Sequence, residues 1–310
     1  MTVSHGTSTE EHVGLSALAA DALECVYQHR LVSTGHLHEL TAPDQAVRRT
    51  QRRLAHLAAR GLLAYVIQQG VAHRPTRLWH ITESGAGVIE ASPDLAETRR
   101  KLLTAEQAGG LLAQHTLAVN QVGLAFLRAA RTRGDEDVSW RSWRHELAHP
   151  IGPGGPRSRQ VVIPDAVLGY PLREPDGRVA FHHRFVELDR GTVPVDQLAL
   201  KLARYTRLYR YAPPARDGGT AGPAWRQRYP SFPGILLILA GRPRTALERR
   251  LRTLLALCAA NPELTATPEV QIDVALLDDL TSDGPWAPVF LPAARPDRWV
   301  GWLEPKKQPA

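Results

Sequence analysis

Apolar residues recur at helical spacing from Leu18 to His29, where Leu18, Ala22, Cys25 and Val26 share one face, and this predicts a first helix. A second, short helix follows. Ser33 or Thr34 can cap it by accepting a bond from an early amide, and Leu37 and Leu40 face inward. Thr41-Ala42-Pro43 makes a turn, with the proline suited to the first turn of a third helix that runs to Arg60 and ends at Gly61. On that helix Val47, Thr50, Gln51, Leu54, Leu57 and Ala58 gather on one side, and Arg48, Arg49, Arg52, Arg53, His56 and Arg60 on the other. The period then changes to two. Leu62 to Gln68 alternates as a strand, Gln69 to Thr76 is a polar turn, Arg77 to Ile81 returns, and Thr82-Glu83-Ser84-Gly85 opens a closing helix.

Residues 91–110, with mixed charges and Gly109-Gly110, read as a connector containing some helix. Leu111 to Arg131 is a long helix, with Leu112, His115, Val119, Val122 and Phe126 at helical spacing. Val138 to Arg144 alternates as a strand. Val161 to Ile163 and Ala166 to Tyr170 form a second strand broken at Pro164-Asp165, and Ala180 to Leu188 forms a third. A helix from Val195 to Tyr211, a buried strand at Gly234 to Ala240, a helix from Thr245 to Ala259 and a strand at Val270 to Leu277 complete the order. Ala212 to Pro230, rich in Pro and Gly, reads as a surface loop.

Composition narrows the class. With 43% hydrophobic and 22% charged residues in 310, the chain is globular and long enough for two domains. No apolar run approaches the roughly 20 residues of a bilayer span, and the amino terminus lacks a secretion signal, so a cytoplasmic protein with no membrane partner is expected. Cys25 and Cys258 lie inside apolar helical patterns, as buried thiols rather than a bridge. The net charge of +7 favours polyanionic partners, yet residues 1–90 hold eight Arg/Lys against eight Asp/Glu. What the first domain can bind therefore depends on where its charges stand. Basic residues are mostly Arg, which also weakens an argument from arginine count alone.

Three helices followed by a hairpin make a winged helix-turn-helix, expected over residues 12–92. Its third helix carries five arginines against one acid, Asp44. Such a helix enters the major groove of double-stranded DNA, where Arg48, Arg49, Arg52, Arg53, His56 and Arg60 pair with base edges or phosphates, while Arg74 and Arg77 of the wing meet the neighbouring backbone. A solvated arginine face, or a protein-docking module, is the alternative.

The order of the later elements, with Pro164-Asp165 on one strand and Glu187-Leu188-Asp189 at the end of the next, resembles the restriction-endonuclease-like PD-(D/E)xK fold. That resemblance implies an α/β domain over 111–280, after a connector at 93–110 and before a tail at 281–310. It also implies Mg²⁺ held by Asp165 and Glu187, with Asp189 at the edge of the site. Two carboxylates at strand ends supply the oxygen ligands Mg²⁺ prefers, and the ion activates water for phosphodiester hydrolysis. Asp189 stands where the fold's lysine belongs. Lys201, at the border of the apolar face set by Leu198, Leu202, Tyr205 and Tyr209, is the candidate replacement. The domain is either an active nuclease with Asp165, Glu187, Asp189 and Lys201 as its catalytic set, or a fold retained without chemistry.

The winged helix, His115 and Asn120, Ile163-Pro164-Asp165, the run from Phe185 to Thr192, and Lys201-Leu202-Ala203-Arg204-Tyr205 together resemble the replication-relaxation family of plasmids and integrative elements. The resemblance implies an α+β protein with a mixed sheet, acting on DNA in replication, relaxation or transfer. A non-catalytic transcription or replication regulator that forms a homodimer through its second domain is the alternative.

His145-Glu146-Leu147-Ala148-His149 matches the zinc-protease pattern H-E-x-x-H, which presents two imidazoles to one metal only on a helix. Trp140 and Trp143 suggest a strand instead, and Pro150 and Pro153 prevent helix beyond His149, so a zinc hydrolase is disfavoured. The pairs His36/His38 and His182/His183 have no cysteine at ligand spacing.

Overall fold

The computed structural model describes residues 14–69, 75–91, 102–153, 160–174, 176–214 and 222–303. The chain divides into two compact units, Met1–Asn120 and Gln121–Ala310. Together they form an α+β protein containing, among the described residues, ten α-helices and a mixed six-stranded sheet.

In the first unit α1 (Ala17–His29) packs against α2 (Thr34–Thr41), α3 (Val47–Ala59) and α4 (Glu83–Glu90). Ser33 caps α2 by accepting the His36 amide at 3.0 Å, and Leu37 and Leu40 turn into the core beside Leu54 and Leu57 of α3. The third helix starts at Val47, four residues after Pro43. The proline seats a turn, closed by the Gln45 amide on the Ala42 carbonyl, and the helix begins only beyond it. Of the residues expected inward, Thr50, Leu54 and Leu57 are buried, Ala58 is half-buried, and Val47 and Gln51 are exposed.

Gly61, at φ +70°, ends the helical segment in a conformation costly for any residue with a Cβ. β1 (Val32–Ser33), β2 (Leu63–Gln69) and β3 (Pro75–Ile81) then form an antiparallel sheet in the order β1-β3-β2, with Val32 opposite Trp79 and Leu63 opposite Ile81. Thr82 caps α4 through the Gly85 amide at 3.0 Å and donates to the Gly61 carbonyl at 2.7 Å. A Cβ on Gly85 would stand 2.1 Å from the Leu62 carbonyl oxygen, so only glycine permits this approach. Leu103 and α5 (Ala105–Gly109) add Ala108 to a small cluster with Leu31, Leu78 and Ala113. Asn120, on α6 (Leu111–Arg133), donates to the Leu31 carbonyl at 2.9 Å.

The second unit is layered around its sheet. β4 (Trp143–His145), β7 (Ala166–Arg173), β8 (Val179–Asp189), β9 (Gly234–Leu239), β10 (Ile272–Leu276) and β11 (Leu291–Pro292) stand in the order β11-β10-β9-β8-β7-β4. β8, β9 and β10 run parallel and the outer pairings are antiparallel. β9 is buried along its whole length, the continuous apolar run expected of a strand covered on both faces. One face, with Phe185, Ile235, Leu237 and Val274, packs on α7 (Val195–Arg210) and α8 (Arg244–Ala260). The other carries Tyr170, which meets Phe126 of α6 and Trp302.

Three expectations are corrected. Val138–Arg144 is not one strand. Ser139 accepts the Arg141 amide and the Ser142 hydroxyl accepts the Ser139 amide, which winds Trp140–Ser142 into a 3₁₀ turn before β4. The chain around Pro164 also leaves the sheet: β6 (Val161–Val162) pairs with β5 (His149–Pro150) in a separate ribbon. Residues 281–303, within the segment expected as a tail, are part of the unit. α9 (Pro262–Thr265) and α10 (Leu277–Asp283) precede β11, and Phe290 and Trp302 are buried in apolar runs too short, between prolines and glycines, to show a periodicity. Among the described residues no helix is long and apolar enough to cross a membrane.

Candidate functional site

β8 carries Phe185, Glu187 and Asp189 on one face by its period of two, so both acids point toward the helical layer. Glu187 is only 1% exposed. Its Oε1 accepts the Tyr205 hydroxyl at 2.6 Å and its Oε2 accepts Lys201 Nζ at 2.5 Å. Lys201 and Tyr205 lie four residues apart on α7, one above the other on the same face, and so reach the two oxygens of one carboxylate together.

Asp165 enters from the neighbouring strand. The β7–β8 ladder begins at Ala166 opposite Val186, and one residue earlier the Asp165 Oδ2 accepts the Leu188 amide at 2.7 Å, replacing a ladder partner that β7 no longer offers. Burial pushes the Glu187 carboxyl up to about 7, and the Asp165 charge adds to the rise, while Lys201 and Tyr205 oppose it. Burial alone would lower the Lys201 ammonium. The Glu187 and Asp165 charges outweigh it and hold its pKa above the ordinary lysine value.

The structure thus brings Asp165, Glu187 and Lys201 together and leaves Asp189 out. Asp189 is engaged by Arg250 of α8, whose Nε meets Oδ2 and whose Nη2 reaches Oδ1 at 3.1 Å, and it also accepts the Gly191 amide at 3.1 Å. Tyr205 and Arg250 join these acids beyond the four residues expected as the catalytic set. The spacing Lys-x-x-x-Tyr carries the signal for Tyr205, while nothing in the sequence distinguishes Arg250 from its neighbours Arg249 and Arg252.

This donor set does not fit Mg²⁺. Both Glu187 oxygens already accept hydrogen bonds, one from an ammonium, and Asp189 is closed by a guanidinium. A small ion that keeps several of its waters has no approach to a carboxylate this deeply buried. Among the described residues, no group of three or more His, Cys, Asp and Glu side chains is arranged to hold a metal ion.

In the first unit Arg48, Arg49, Arg52, His56 and Arg60 are exposed. Arg53 is half-buried, its Nη2 directed to Gln45 Oε1 at 3.5 Å, and burial lowers its pKa. Arg77 is exposed, with its guanidinium 4.7 Å from the centre of the Tyr65 ring. Arg74 lies outside the described residues.

The H-E-x-x-H segment is strand, turn, strand. His145 ends β4, Glu146 adopts φ +51°, and His149 begins β5, so the two imidazoles lack the helical placement on which the H-E-x-x-H zinc motif depends. His149 Nε2 instead meets the Tyr229 hydroxyl at 2.7 Å. Cys25 and Cys258 are buried thiols.

No curated protein and no solved structure matches the chain. A family model described as replication-relaxation matches residues 23–221, from α1 through the helix carrying Lys201 and Tyr205. With more than half of its length matched, the chain belongs to the replication-relaxation family.

Proposed function

We propose that the chain is a DNA-binding protein of a plasmid or integrative element, acting on double-stranded DNA in replication, relaxation or transfer. In this reading the first unit is a winged helix-turn-helix. Helix α3 lies in the major groove, and the β2–β3 hairpin is the wing, bringing Arg77 to the adjacent backbone. The observation that carries the reading is the outer surface of α3. Arg48, Arg49, Arg52 and His56 are exposed on a helix that contains no acidic residue. An arginine fork there can pair with a guanine edge or hold phosphates and release their counterions.

The second unit, in the same reading, is a restriction-endonuclease-like domain retained without metal-dependent cleavage. Its support is the pair of acids on adjacent strands beside a lysine, together with the closed state of both Glu187 oxygens.

The test is anisotropy of a labelled duplex titrated with the full chain, once in chelator and once in millimolar Mg²⁺ or Mn²⁺, followed by electrophoresis of the DNA. The expected result is binding in both, weaker in the divalent metal only as far as its cations compete for phosphates, and an uncut duplex. Absence of binding at low salt would overturn the DNA reading. Cleavage in metal and none in chelator would overturn the non-catalytic reading of the second unit.

A further inference from the structure

Two carboxylates at neighbouring strand ends, Glu187 buried and Asp165 half-buried, repel one another and are favoured by a cation between or beside them. In a nuclease-like fold that cation comes from solution. Here the chain supplies it. Lys201 places Nζ 2.5 Å from Glu187, and the Asp165 charge acts on the same ammonium. Tyr205, one turn further along α7, fills the remaining Glu187 oxygen with a neutral donor, and Arg250 draws Asp189 away to a different helix.

The residue type matters as well as its place. A compact ammonium concentrates its charge near the point a small ion would occupy, where a planar guanidinium would project past it. In a chain with 38 basic residues, Lys201 is the only lysine among the described residues, and it stands beside this pair.

We propose that the Lys201 ammonium occupies the place of a divalent ion, turning the Asp165–Glu187 pair into a closed internal ion cluster that holds α7 to the end of the sheet without metal. The proposal rests on the nuclease-like reading of the second unit and is independent of DNA contact by α3. It carries a consequence that an ordinary ion pair does not. The Lys201 side chain is 41% exposed, so shortening it opens a route from solvent to both carboxylates, and the vacated place becomes available to a divalent ion.

The experiment is a set of thermal melts of the full-length protein in chelator, in 10 mM Mg²⁺ or Mn²⁺, and in NaCl of matched ionic strength. The wild-type Tm is expected to be the same in all three. Lys201→Ala is expected to melt lower by on the order of 5–10 °C in chelator, and to recover about 3 °C in divalent metal with no recovery in NaCl. Glu187→Gln combined with Lys201→Ala should lose that recovery. If Lys201→Ala does not fold, Lys201→Gln removes the charge and still shortens the side chain, while its amide offers a donor nearby, and it carries the same comparison.

A wild-type Tm that rises in divalent metal would overturn the proposal while leaving the nuclease-like reading standing, because metal would then bind beside the lysine. A Lys201 variant that is destabilised but indifferent to metal would overturn the proposal and the nuclease-like origin of the site together. DNA affinity through α3 is unaffected by either result.

Discussion

On α3, Arg48, Arg49 and Arg52 extend from a helix without a single acidic residue, whereas on α7 and α8 Lys201 and Arg250 each reach down onto a carboxylate buried on β8. The first arrangement leaves positive charge at the surface with nothing on its own helix to neutralise it. The second completes the charge inside the fold. Net charge would have pointed the other way, since residues 1–90 are balanced and the excess of basic residues lies beyond them. A cation that closes on a buried acid is part of the structure, and a cation displayed on an acid-free helix is available to an external polyanion.

The largest effect that tests this contrast is expected at Asp189. Arg250 is mostly buried, with its side chain 16% exposed, so Asp189→Ala leaves the guanidinium, among the described residues, with the Val193 carbonyl at 2.5 Å in place of its counter-ion. The loss of stability in urea denaturation should be about 3–5 kcal/mol. A loss below about 1 kcal/mol would mean that the pair behaves like a surface ion pair, and the contrast with α3 would fail.

A neutral buried base sharpens the same contrast. Burial, with the Arg228 charge adding to it, lowers the His149 imidazole to about 4, below the roughly 6.5 of an unfolded chain. The unfolded state then takes up the proton first. The stability held by neutral His149 is therefore complete above about pH 6.5 and lost as pH falls through about 4, by up to about 3 kcal/mol. Urea midpoints of wild type and His149→Gln, compared at pH 7 and pH 4, should show a smaller acid loss in the variant. Equal losses would mean that the imidazole is not held neutral.

Much of the fold is legible where periodicity is strong. The α1 helix is expected from Leu18 and found from Ala17, and the run at 234–240 is the central strand β9. Legibility fails where local chemistry replaces pattern. The Ser139–Ser142 cap overrides an alternating stretch, and Phe290 and Trp302 bury themselves from a segment with no period. At the site, Asp165 and Glu187 are legible because acids interrupt apolar strands, and Lys201 is legible because it borders an apolar helical face. The partner of Asp189 is not. Arg244, Arg249, Arg250 and Arg252 all lie on α8, and only the packing of that helix against the sheet selects Arg250.

The smallest effect on stability, and the most direct test of DNA binding by the exposed helix, belongs to Arg48→Ala, Arg49→Ala and Arg52→Ala combined. These side chains are exposed, so each substitution should change folding stability by no more than about 0.5 kcal/mol. Duplex affinity, measured by anisotropy across a salt series, should fall, and the slope of log affinity against log salt should become shallower by up to about 2.7, or about 0.9 for each phosphate that an arginine no longer neutralises. An unchanged affinity and slope in a protein that remains folded would contradict the account and remove α3 from the DNA interface.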